Sequence, residues 1–461
     1  MLNPETCQKA RLSRDPRFDG KFFTAVKTTG IYCRTICPVS PPKEENVCYY
    51  ATAIEAANAG FRPCLRCRPD SAPGSPAWKG VNTTLERAIK LVDEGALQTG
   101  DLPGLAERLG ISDRYLRELF KKHLGTSPKT YAQYQQCLFA KQLLQQTKLP
   151  VTQVALASGF SSIRRFNDCF LSQLKLTPSK MRKSAEETAN SLQLKLHYRP
   201  PYDWSQMSAF LMARAIPGLE WGSEHSYGRM FEWAGTRGCF TAEHISDAFR
   251  FDVTIEVDDV RHLKAIVNNI RRVLDLDVDM QAVEQDLARG CPENFTVKPG
   301  IRLPGIWSMF EAGIRAILGQ QISVVAARNL VTILVSSLGQ SSGGKYFFPT
   351  PDAIAESELD CLKIPGSRKQ TLRNLARHYL DSDNPDEASA WLKLKGIGPW
   401  TVDYARLRGL SEPDIFLGGD LGVKKALAQS EQSLPQSDQV LKPEAVSPWR
   451  SYLTFQLWSL L

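Results

Sequence analysis

The sequence predicts a multidomain protein that is mostly α-helical with α+β parts. Its 461 residues are enough for about three domains or more. Two linker-like stretches divide the chain: residues 71–79, rich in Pro, Gly and Ser, and the polar residues 184–194. A hydrophobic content of 43% and a charged content of 23% are ordinary for globular proteins. We predict four domains, with the boundaries 1–78, 82–183, 194–300 and 301–461.

Composition narrows the class of protein. No apolar run is long enough to cross a bilayer, and the N-terminus lacks the apolar core of a signal peptide. We therefore expect a soluble cytoplasmic protein without a membrane partner. Residues 1–183 carry 28 Lys and Arg against 15 Asp and Glu, whereas the remainder carries 29 against 34. Residues 1–183, with their excess of positive charge, are thus the part of the chain expected to bind a polyanion.

The chain has eleven cysteines, and four of those in the first segment have metal-ligand spacing. Cys33-x3-Cys37 and Cys64-x2-Cys67 each offer a thiolate pair, and two such pairs complete a tetrahedral zinc site. Metal is favoured over disulfides in a chain without an export signal. From spacing alone, a purely structural zinc site is the commoner interpretation.

Residues 5–70 also contain RDPRFDG, AVKTTGIYCR, ENVCYYA and AGFRPCLRCRPD. These pieces resemble the N-terminal domain of the bacterial Ada (adaptive response) regulators. The resemblance implies that Cys33 accepts a methyl group from a DNA methylphosphotriester and that Cys37, Cys64 and Cys67 complete the Zn²⁺ site. Because four thiolates on Zn²⁺ carry a formal charge of −2, methylating one leaves −1 and weakens repulsion from DNA. The alternative is that zinc serves folding only.

The second segment contains an internal repeat offset by about fifty residues. LAERLGISDRYLRELFKKHLGTSPKTY recurs as VALASGFSSIRRFNDCFLSQLKLTPSKMR. Each copy predicts a helix, a Gly turn and a second helix capped by Ser112 or by Ser161 or Ser162. This pattern resembles the paired helix-turn-helix of AraC-type regulators. Four arginines project from the predicted recognition helices: Arg114, Arg117, Arg164 and Arg165. They either contact DNA or form a solvated helix face.

The third segment predicts a small α+β domain. In FRFDVTIEVDD the apolar residues Phe251, Val253, Ile255 and Val257 alternate with polar ones, which predicts a strand with one buried face. A helix is expected over 259–274.

The last segment predicts a helical domain organised around residues 392–420. Gly396-Ile397-Gly398-Pro399 lies between two helical runs, and a turn of this kind can hold a phosphate with backbone N–H groups. Asp420 follows Gly418-Gly419 and is a candidate catalytic carboxylate. The alternatives are a plain helical connection and a helix cap.

Residues 194–461 contain RPPYDWSQMSAFLMARA, RAILGQQISV, GIGPWTVDYARLRG, DIFLGGD and PWRSYLTFQLW. They resemble AlkA-type 3-methyladenine DNA glycosylase II, of the helix-hairpin-helix superfamily. The resemblance implies that Asp420 is catalytic, that Gly396 and Gly398 hold DNA, and that Gln321 enters the gap left by an extruded base. Some relatives have Leu at that position. The aromatic residues implied to line the base pocket are Trp400, Tyr404 and Trp458.

Two absences refine this expectation. Glycosylases of this superfamily that also nick the strand have the pattern Gly-x-Gly-x-Lys, whose lysine forms a Schiff base. Trp400 occupies the lysine position here, so we predict a monofunctional glycosylase. No Pro-Cys-His-Arg motif occurs, so repair of O6-alkylguanine is not expected. We predict a bifunctional alkylation-response protein with alkylated and promoter DNA and RNA polymerase as partners. The rival hypothesis is a DNA-binding regulator whose back half is an inert DNA clamp.

Overall fold

The computed structural model describes residues 2–15, 18–64, 66–67, 69, 83–93, 95–182, 192–292, 295–432 and 441–461. They form two compact units. The first comprises Met1–Pro200, Ile245–Ile270 and Leu276–Asp279, and the second Pro201–His244, Arg271–Asp275 and Met280–Leu461. The predicted third segment contributes to both units. The predicted linkers, residues 71–79 and most of 184–194, lie outside the described residues.

The helices and strands up to residue 182 are, in chain order, α1 (Pro4–Leu12), β1 (Phe23–Val26), β2 (Ile31–Cys33), β3 (Val47–Tyr50), α2 (Ala53–Asn58), β4 (Arg62–Pro63), α3 (Thr83–Asp93), α4 (Ala96–Thr99), α5 (Leu102–Arg108), α6 (Asp113–Leu124), α7 (Pro128–Gln146), α8 (Val151–Ala157), α9 (Ile163–Leu174) and α10 (Pro178–Arg182).

From residue 192 they are β5 (Leu192–His197), α11 (Trp204–Arg214), β6 (Glu220–Gly222), β7 (Ser226–Trp233), β8 (Thr236–Ile245), β9 (Arg250–Val257), α12 (Leu263–Val273), α13 (Met280–Gly290), α14 (Met309–Gly319), α15 (Val324–Leu338), β10 (Ser341–Ser342), β11 (Lys345–Tyr346), α16 (Pro351–Glu356), α17 (Gly366–Asp381), α18 (Ala388–Trp391), α19 (Pro399–Gly409), α20 (Leu421–Gln432) and α21 (Arg450–Trp458).

The N-terminal part of the first unit is a small sheet with the strand order β3-β1-β2-β4. β2 runs antiparallel to β1 and parallel to β4. The core behind it contains only a few buried hydrophobic side chains, among them Phe23, Ala25, Tyr32 and Ala56. A core this small leaves room for a metal to contribute to folding.

The predicted repeat is a pair of helix-turn-helix elements, α5–α6 and α8–α9. Gly110 and Gly159 make the two turns in the left-handed region, with φ of 69° and 81°. Ser112 caps α6, and of the two candidates for the second cap it is Ser162, not Ser161, whose side chain accepts the bond at the start of α9. The helix-turn-helix prediction is confirmed.

The predicted strand in the third segment is β9. Phe251, Val253 and Ile255 are buried and the intervening residues are partly exposed, as the alternation predicts. β9 pairs antiparallel with β5 in the first unit. The expected helix over 259–274 is α12.

The second unit has a helical core in which α14 packs against α19 and α17. The short β10–β11 hairpin is an exception to the helical prediction for residues 301–461. Trp391 is fully buried, and a Cβ at Gly313 would lie 2.6 Å from its ring, so α14 and the end of α18 are in close contact. In the run that begins at residue 301, the apolar residues at helical spacing, Ile306, Phe310, Ile314 and Ile317, are all buried.

Candidate functional sites

The four cysteines predicted from spacing form one cluster. The sulfur atoms of Cys33, Cys37, Cys64 and Cys67 all lie within 4.8 Å of one another. The parallel pairing of β2 with β4 brings them together, because Tyr32 lies opposite Pro63 and the Cys64 N–H donates to the Tyr32 carbonyl at 2.9 Å. Each strand thus delivers one cysteine pair to the same end of the sheet. Four thiols at this separation fit tetrahedral Zn²⁺, as predicted.

Hydrogen bonds among the thiols and from Arg34 polarise this cluster. The hydrogen bond with Cys33 lowers the pKa of Cys37 to about 7, and those with Cys33, Cys37 and Cys67 lower the pKa of Cys64 well below its usual range. The backbone N–H of Arg34 donates to the Cys67 sulfur at 3.3 Å.

The side chain of Arg34 contacts the cluster at the Cys67 carbonyl, to which its Nη1 donates at 3.4 Å. It is buried, and its Nε donates at 2.8 Å to Asp19, with which it forms an ion pair. Arg199 in turn donates to the Asp19 carbonyl and pairs with buried Asp279 at 2.8 Å. Groups that hydrogen-bond to metal-ligating residues commonly fix the orientation of those residues.

Exposure divides the cluster into two pairs. Cys64 and Cys67 are buried, while Cys33 and Cys37 are half-buried. A large substrate such as DNA can therefore approach the second pair more readily. Exposure alone does not choose between Cys33 and Cys37.

The arginines predicted to contact DNA are exposed on the first turns of α6 and α9. Arg114 pairs with Glu118 at 3.3 Å and Arg117 with Asp113 at 2.8 Å. Exposed pairs of this kind contribute little to stability, so a phosphate can replace the carboxylate at small cost. Arg164 and Arg165 occupy the corresponding turn of α9.

In the second unit, the loop between α18 and α19 is the predicted glycine hairpin. Gly396 is in the left-handed region, with φ of 91°, and its surroundings exclude a side chain: a Cβ there would lie 2.1 Å from the Thr371 hydroxyl oxygen. A Cβ at Gly398 would meet nothing within 4 Å, so the backbone there is open to approach. Gly398 also precedes the first turn of α19, where helix N–H groups and the dipole favour an anion.

Replacing Gly396 by Ala is expected to destabilise the second unit by at least about 1–3 kcal/mol, the usual cost of holding a side chain at a disfavoured backbone angle. The buried Thr371 must also shift. Thermal unfolding of the full chain measures the effect. Gly366→Ala is the matched control: Gly366 starts the helix that holds Thr371, and a Cβ there meets nothing within 4 Å. Equal unfolding temperatures for the two variants would contradict the expectation.

The loop between α14 and α15 lies against this hairpin. Gln320 Nε2 donates to Thr401 Oγ1 at 3.1 Å and to the Gly396 carbonyl at 3.4 Å. The next residue, Gln321, is exposed and has φ of 58°. A non-glycine residue in this region stores strain, and strained residues cluster at functional sites.

Asp420 lies at the start of α20, where four N–H donors surround its carboxylate. Oδ1 accepts from the backbone N–H groups of Gly422 at 2.9 Å and Val423 at 3.1 Å, and from Trp458 Nε1 at 3.0 Å. Oδ2 accepts from Trp400 Nε1 at 3.3 Å. The carboxylate therefore caps the helix and also faces the two indoles that the sequence placed beside it. Its orientation is fixed from both sides.

Two of the residues predicted to line the base pocket, Trp400 and Tyr404, lie on one face of α19. Trp400, Tyr404 and Arg408 follow one another at four-residue intervals, which brings them to the same side of the helix. The Trp400 and Tyr404 rings are stacked, with centroids 5.3 Å apart. Arg408 donates to the Tyr404 hydroxyl at 3.1 Å.

Sequence reasoning missed Phe210, Arg214 and Arg408. The Phe210 ring stacks on Trp458 at 6.0 Å, and the guanidinium carbons of Arg214 and Arg408 lie 3.7 Å and 4.8 Å from its centroid. Burial lowers the pKa of Arg214 to about 10, so it stays cationic at neutral pH. The available signal was local: Phe210 and Arg214 are spaced for a cation–π contact along one helix.

Within the described parts of the chain, we find no helix with the length and apolar character needed to span a bilayer.

Comparison with known families divides the chain in the same order as the sites. The family model for the metal binding domain of Ada matches residues 6–70, a helix-turn-helix domain matches 105–184, and the AlkA N-terminal domain matches 193–308. DNA-3-methyladenine glycosylase 2 of Escherichia coli is 33% identical over 57% of this chain and 95% of its own.

Two further relatives cover the front and the whole of the chain. The bifunctional transcriptional activator/DNA repair enzyme Ada of Escherichia coli is 41% identical over 26% of this chain and 33% of its own. A probable bifunctional transcriptional activator/DNA repair enzyme AlkA of Mycobacterium tuberculosis is 35% identical over 99% of this chain and 96% of its own. Since this similarity spans nearly the whole of both proteins, the chain belongs to the family of bifunctional transcriptional activator/DNA repair enzymes of the AlkA type.

Proposed function

We propose that this protein joins two responses to DNA alkylation in one chain. Asp420 catalyses excision of alkylated bases of the 3-methyladenine type, and Cys33 takes a methyl group from a DNA methylphosphotriester and thereby regulates transcription. The observation that carries the first activity is the carboxylate of Asp420, held by the N–H groups of the Trp400 and Trp458 indoles beside the stacked Trp400 and Tyr404 rings.

The geometry around Asp420 supports cleavage of an N-glycosidic bond. Breaking this bond builds positive charge on the sugar, and a fixed carboxylate nearby stabilises that charge. The same carboxylate can orient the attacking water. The bonding electron pair leaves with the base. An alkylated base that is already cationic departs neutral, so no general acid is needed to protonate it. The stacked rings of Trp400 and Tyr404 attract such a base by stacking and cation–π contact.

A base reaches Asp420 only after its nucleotide leaves the duplex. We propose that the backbone at Gly396 and Gly398 holds the DNA phosphates beside the pocket. Gln321 then enters the space that the extruded base vacates. Its strained backbone and its exposure next to the hairpin support this role.

Methyl transfer requires a nucleophile that DNA can reach. Cys33, Cys37, Cys64 and Cys67 would hold the zinc ion, which when bound would keep their sulfurs as thiolates at neutral pH. In the proposed step, the Cys33 sulfur attacks the methyl carbon, the carbon–oxygen bond breaks, and the phosphotriester becomes an ordinary phosphodiester. The product is a thioether on Cys33. The half-buried position of Cys33 leaves its sulfur within reach of DNA, and the choice of Cys33 over the equally half-buried Cys37 rests on the resemblance to the Ada regulators.

The partners follow from the two reactions. We propose that alkylated duplex DNA contacts the second unit, that promoter DNA contacts Arg114, Arg117, Arg164 and Arg165, and that RNA polymerase is recruited by the bound regulator. A DNA substrate in turn implies a cytoplasmic, nucleoid-associated protein. We also retain the domain boundaries 1–78, 82–183, 194–300 and 301–461 as a proposal.

Measuring the products of excision distinguishes an active glycosylase from a catalytically inert DNA clamp. Duplex DNA treated with a methylating agent should lose methylated purines to the full chain and keep its strands intact, because Trp400 supplies no amine for a Schiff base. Released bases are measured by chromatography, and strand breaks by denaturing gels before and after alkali. Absence of released base would favour the clamp. Breaks before alkali would contradict the monofunctional assignment.

A further inference from the structure

Two cysteines that take no part in either proposed reaction lie side by side in the paired helix-turn-helix. Cys137 is on α7, the long helix between the two elements, and Cys169 is on α9. Their sulfur atoms are 3.5 Å apart. Cys137 is fully buried and Cys169 is half-buried.

The two thiols differ in chemistry as well as in exposure. The Cys137 thiol donates a hydrogen bond to the Cys169 sulfur, and this bond, with the charge of Arg165 one turn earlier, lowers the pKa of Cys169. The same contact, together with burial, raises the pKa of Cys137. A reachable sulfur with thiolate character next to a second thiol is the arrangement found in redox-responsive cysteine pairs.

We propose that Cys137 and Cys169 are a redox-responsive thiol pair that hydrogen peroxide converts into a disulfide joining α9 to α7. The Cys169 thiolate attacks one peroxide oxygen, the oxygen–oxygen bond breaks, and sulfenic acid and hydroxide form. The Cys137 sulfur then attacks the Cys169 sulfur and displaces the sulfenic hydroxyl group. In sum, two thiols and one hydrogen peroxide give one disulfide and two waters.

The change of distance links this chemistry to DNA binding. A disulfide brings the sulfurs to about 2.05 Å with a restricted dihedral angle, and we expect part of this change to be taken up by a shift of α9 towards α7. Phe166 and Phe170 anchor α9 in the core, and the exposed first turn carries Arg164 and Arg165. We expect the shift to misplace these arginines and weaken DNA binding. This consequence, unlike the disulfide itself, rests on the proposed role of α9.

Peptide mapping of the zinc-loaded full chain tests the thiol pair. After graded doses of hydrogen peroxide, remaining thiols are alkylated, the protein is digested without reductant, and peptides are analysed by mass spectrometry. We expect a peptide linking Cys137 to Cys169, released by dithiothreitol, at doses that leave the partly exposed Cys48 and Cys361 alkylated. Cys169→Ser should abolish the link and leave Cys137 reduced. Oxidation of Cys169 with Cys137 still alkylated would overturn the proposal, as would equal oxidation of Cys48 and Cys361.

A DNA mobility assay tests the consequence separately. Oxidised wild-type protein should bind DNA more weakly than reduced protein, and dithiothreitol should restore binding. Cys137→Ser cannot form the disulfide, although its four-cysteine cluster is unchanged. We therefore expect the same doses of hydrogen peroxide to leave its DNA affinity unaltered. If that variant lost affinity as much as wild type, the effect would belong to the zinc-binding cysteines, and the coupling through α9 would be wrong.

Discussion

Replacing Asp420 by Asn is expected to slow base excision by about 10²–10³-fold, the usual effect of removing one group that stabilises transition-state charge. An amide retains an oxygen that can accept from the Gly422 and Val423 N–H groups, and Asn caps helices about as well as Asp. What it loses is the negative charge beside the sugar, together with the 3.3 Å hydrogen bond from Trp400 Nε1, which an amide nitrogen cannot accept. The rate is measured as single-turnover release of methylated purine from duplex DNA.

Two measurements separate lost chemistry from lost structure. Thermal unfolding should give nearly the same transition for Asp420→Asn and wild type, and both should bind duplex DNA with similar affinity. Asp352→Asn is the matched control, since Asp352 is an exposed carboxylate in the first turn of α16 and should excise normally. Wild-type excision by Asp420→Asn would show that another group performs the chemistry.

Features that depend on neighbouring residues could be predicted from the sequence. Ser112 and Ser162 cap their helices because a serine oxygen needs only the N–H three residues later. The cysteine cluster was predictable because zinc imposes its own spacing. The parallel register that joins β2 to β4 was not, since no local pattern states which strands pair.

Features that depend on distant contacts could not be predicted. Phe210 and Arg408 are almost two hundred residues apart, yet the guanidinium of Arg408 lies over the Phe210 ring. No local pattern relates Phe210 to Arg408, and only the packing of the second unit makes them neighbours. The contact between Phe210 and Arg408 therefore could not be predicted from local sequence, whereas the spacing of Phe210 and Arg214 could have been recognised.

Asp420 shows a different limit of sequence reasoning. From the sequence, a helix cap and a catalytic carboxylate are alternative roles for Asp420; the structure shows the cap, and capping is compatible with the proposed catalytic role. A carboxylate has about four lone-pair sites, so Oδ1 can accept from two backbone N–H groups and an indole while Oδ2 takes only Trp400. Capping then helps to orient the Asp420 carboxylate, because its hydrogen bonds to the first turn of α20 keep it facing the Trp400 and Trp458 indoles.

Methylation of Cys33 is expected to strengthen binding of the full chain to promoter DNA at low salt. With a divalent cation bound, four thiolates carry a net charge of −2, and a thioether at Cys33 leaves −1. Removing one negative charge about 4 Å from a phosphate is worth about 1 kcal/mol in water, roughly a fivefold gain in affinity. The gain should shrink as salt rises, because exposed charges are then screened.

The comparison is made within each variant, before and after incubation with methylated DNA. Wild type should gain one methyl group at Cys33 by peptide mass spectrometry and bind more tightly, whereas Cys33→Ser should do neither. Cys48→Ser is the matched control, because Cys48 is a half-buried cysteine of the same small sheet and lies outside the cluster. It should take up the methyl group and bind more tightly, as wild type does. Uptake without tighter binding at low salt would refute the charge mechanism, and uptake by Cys33→Ser would move the acceptor to another cysteine, with half-buried Cys37 the first to examine.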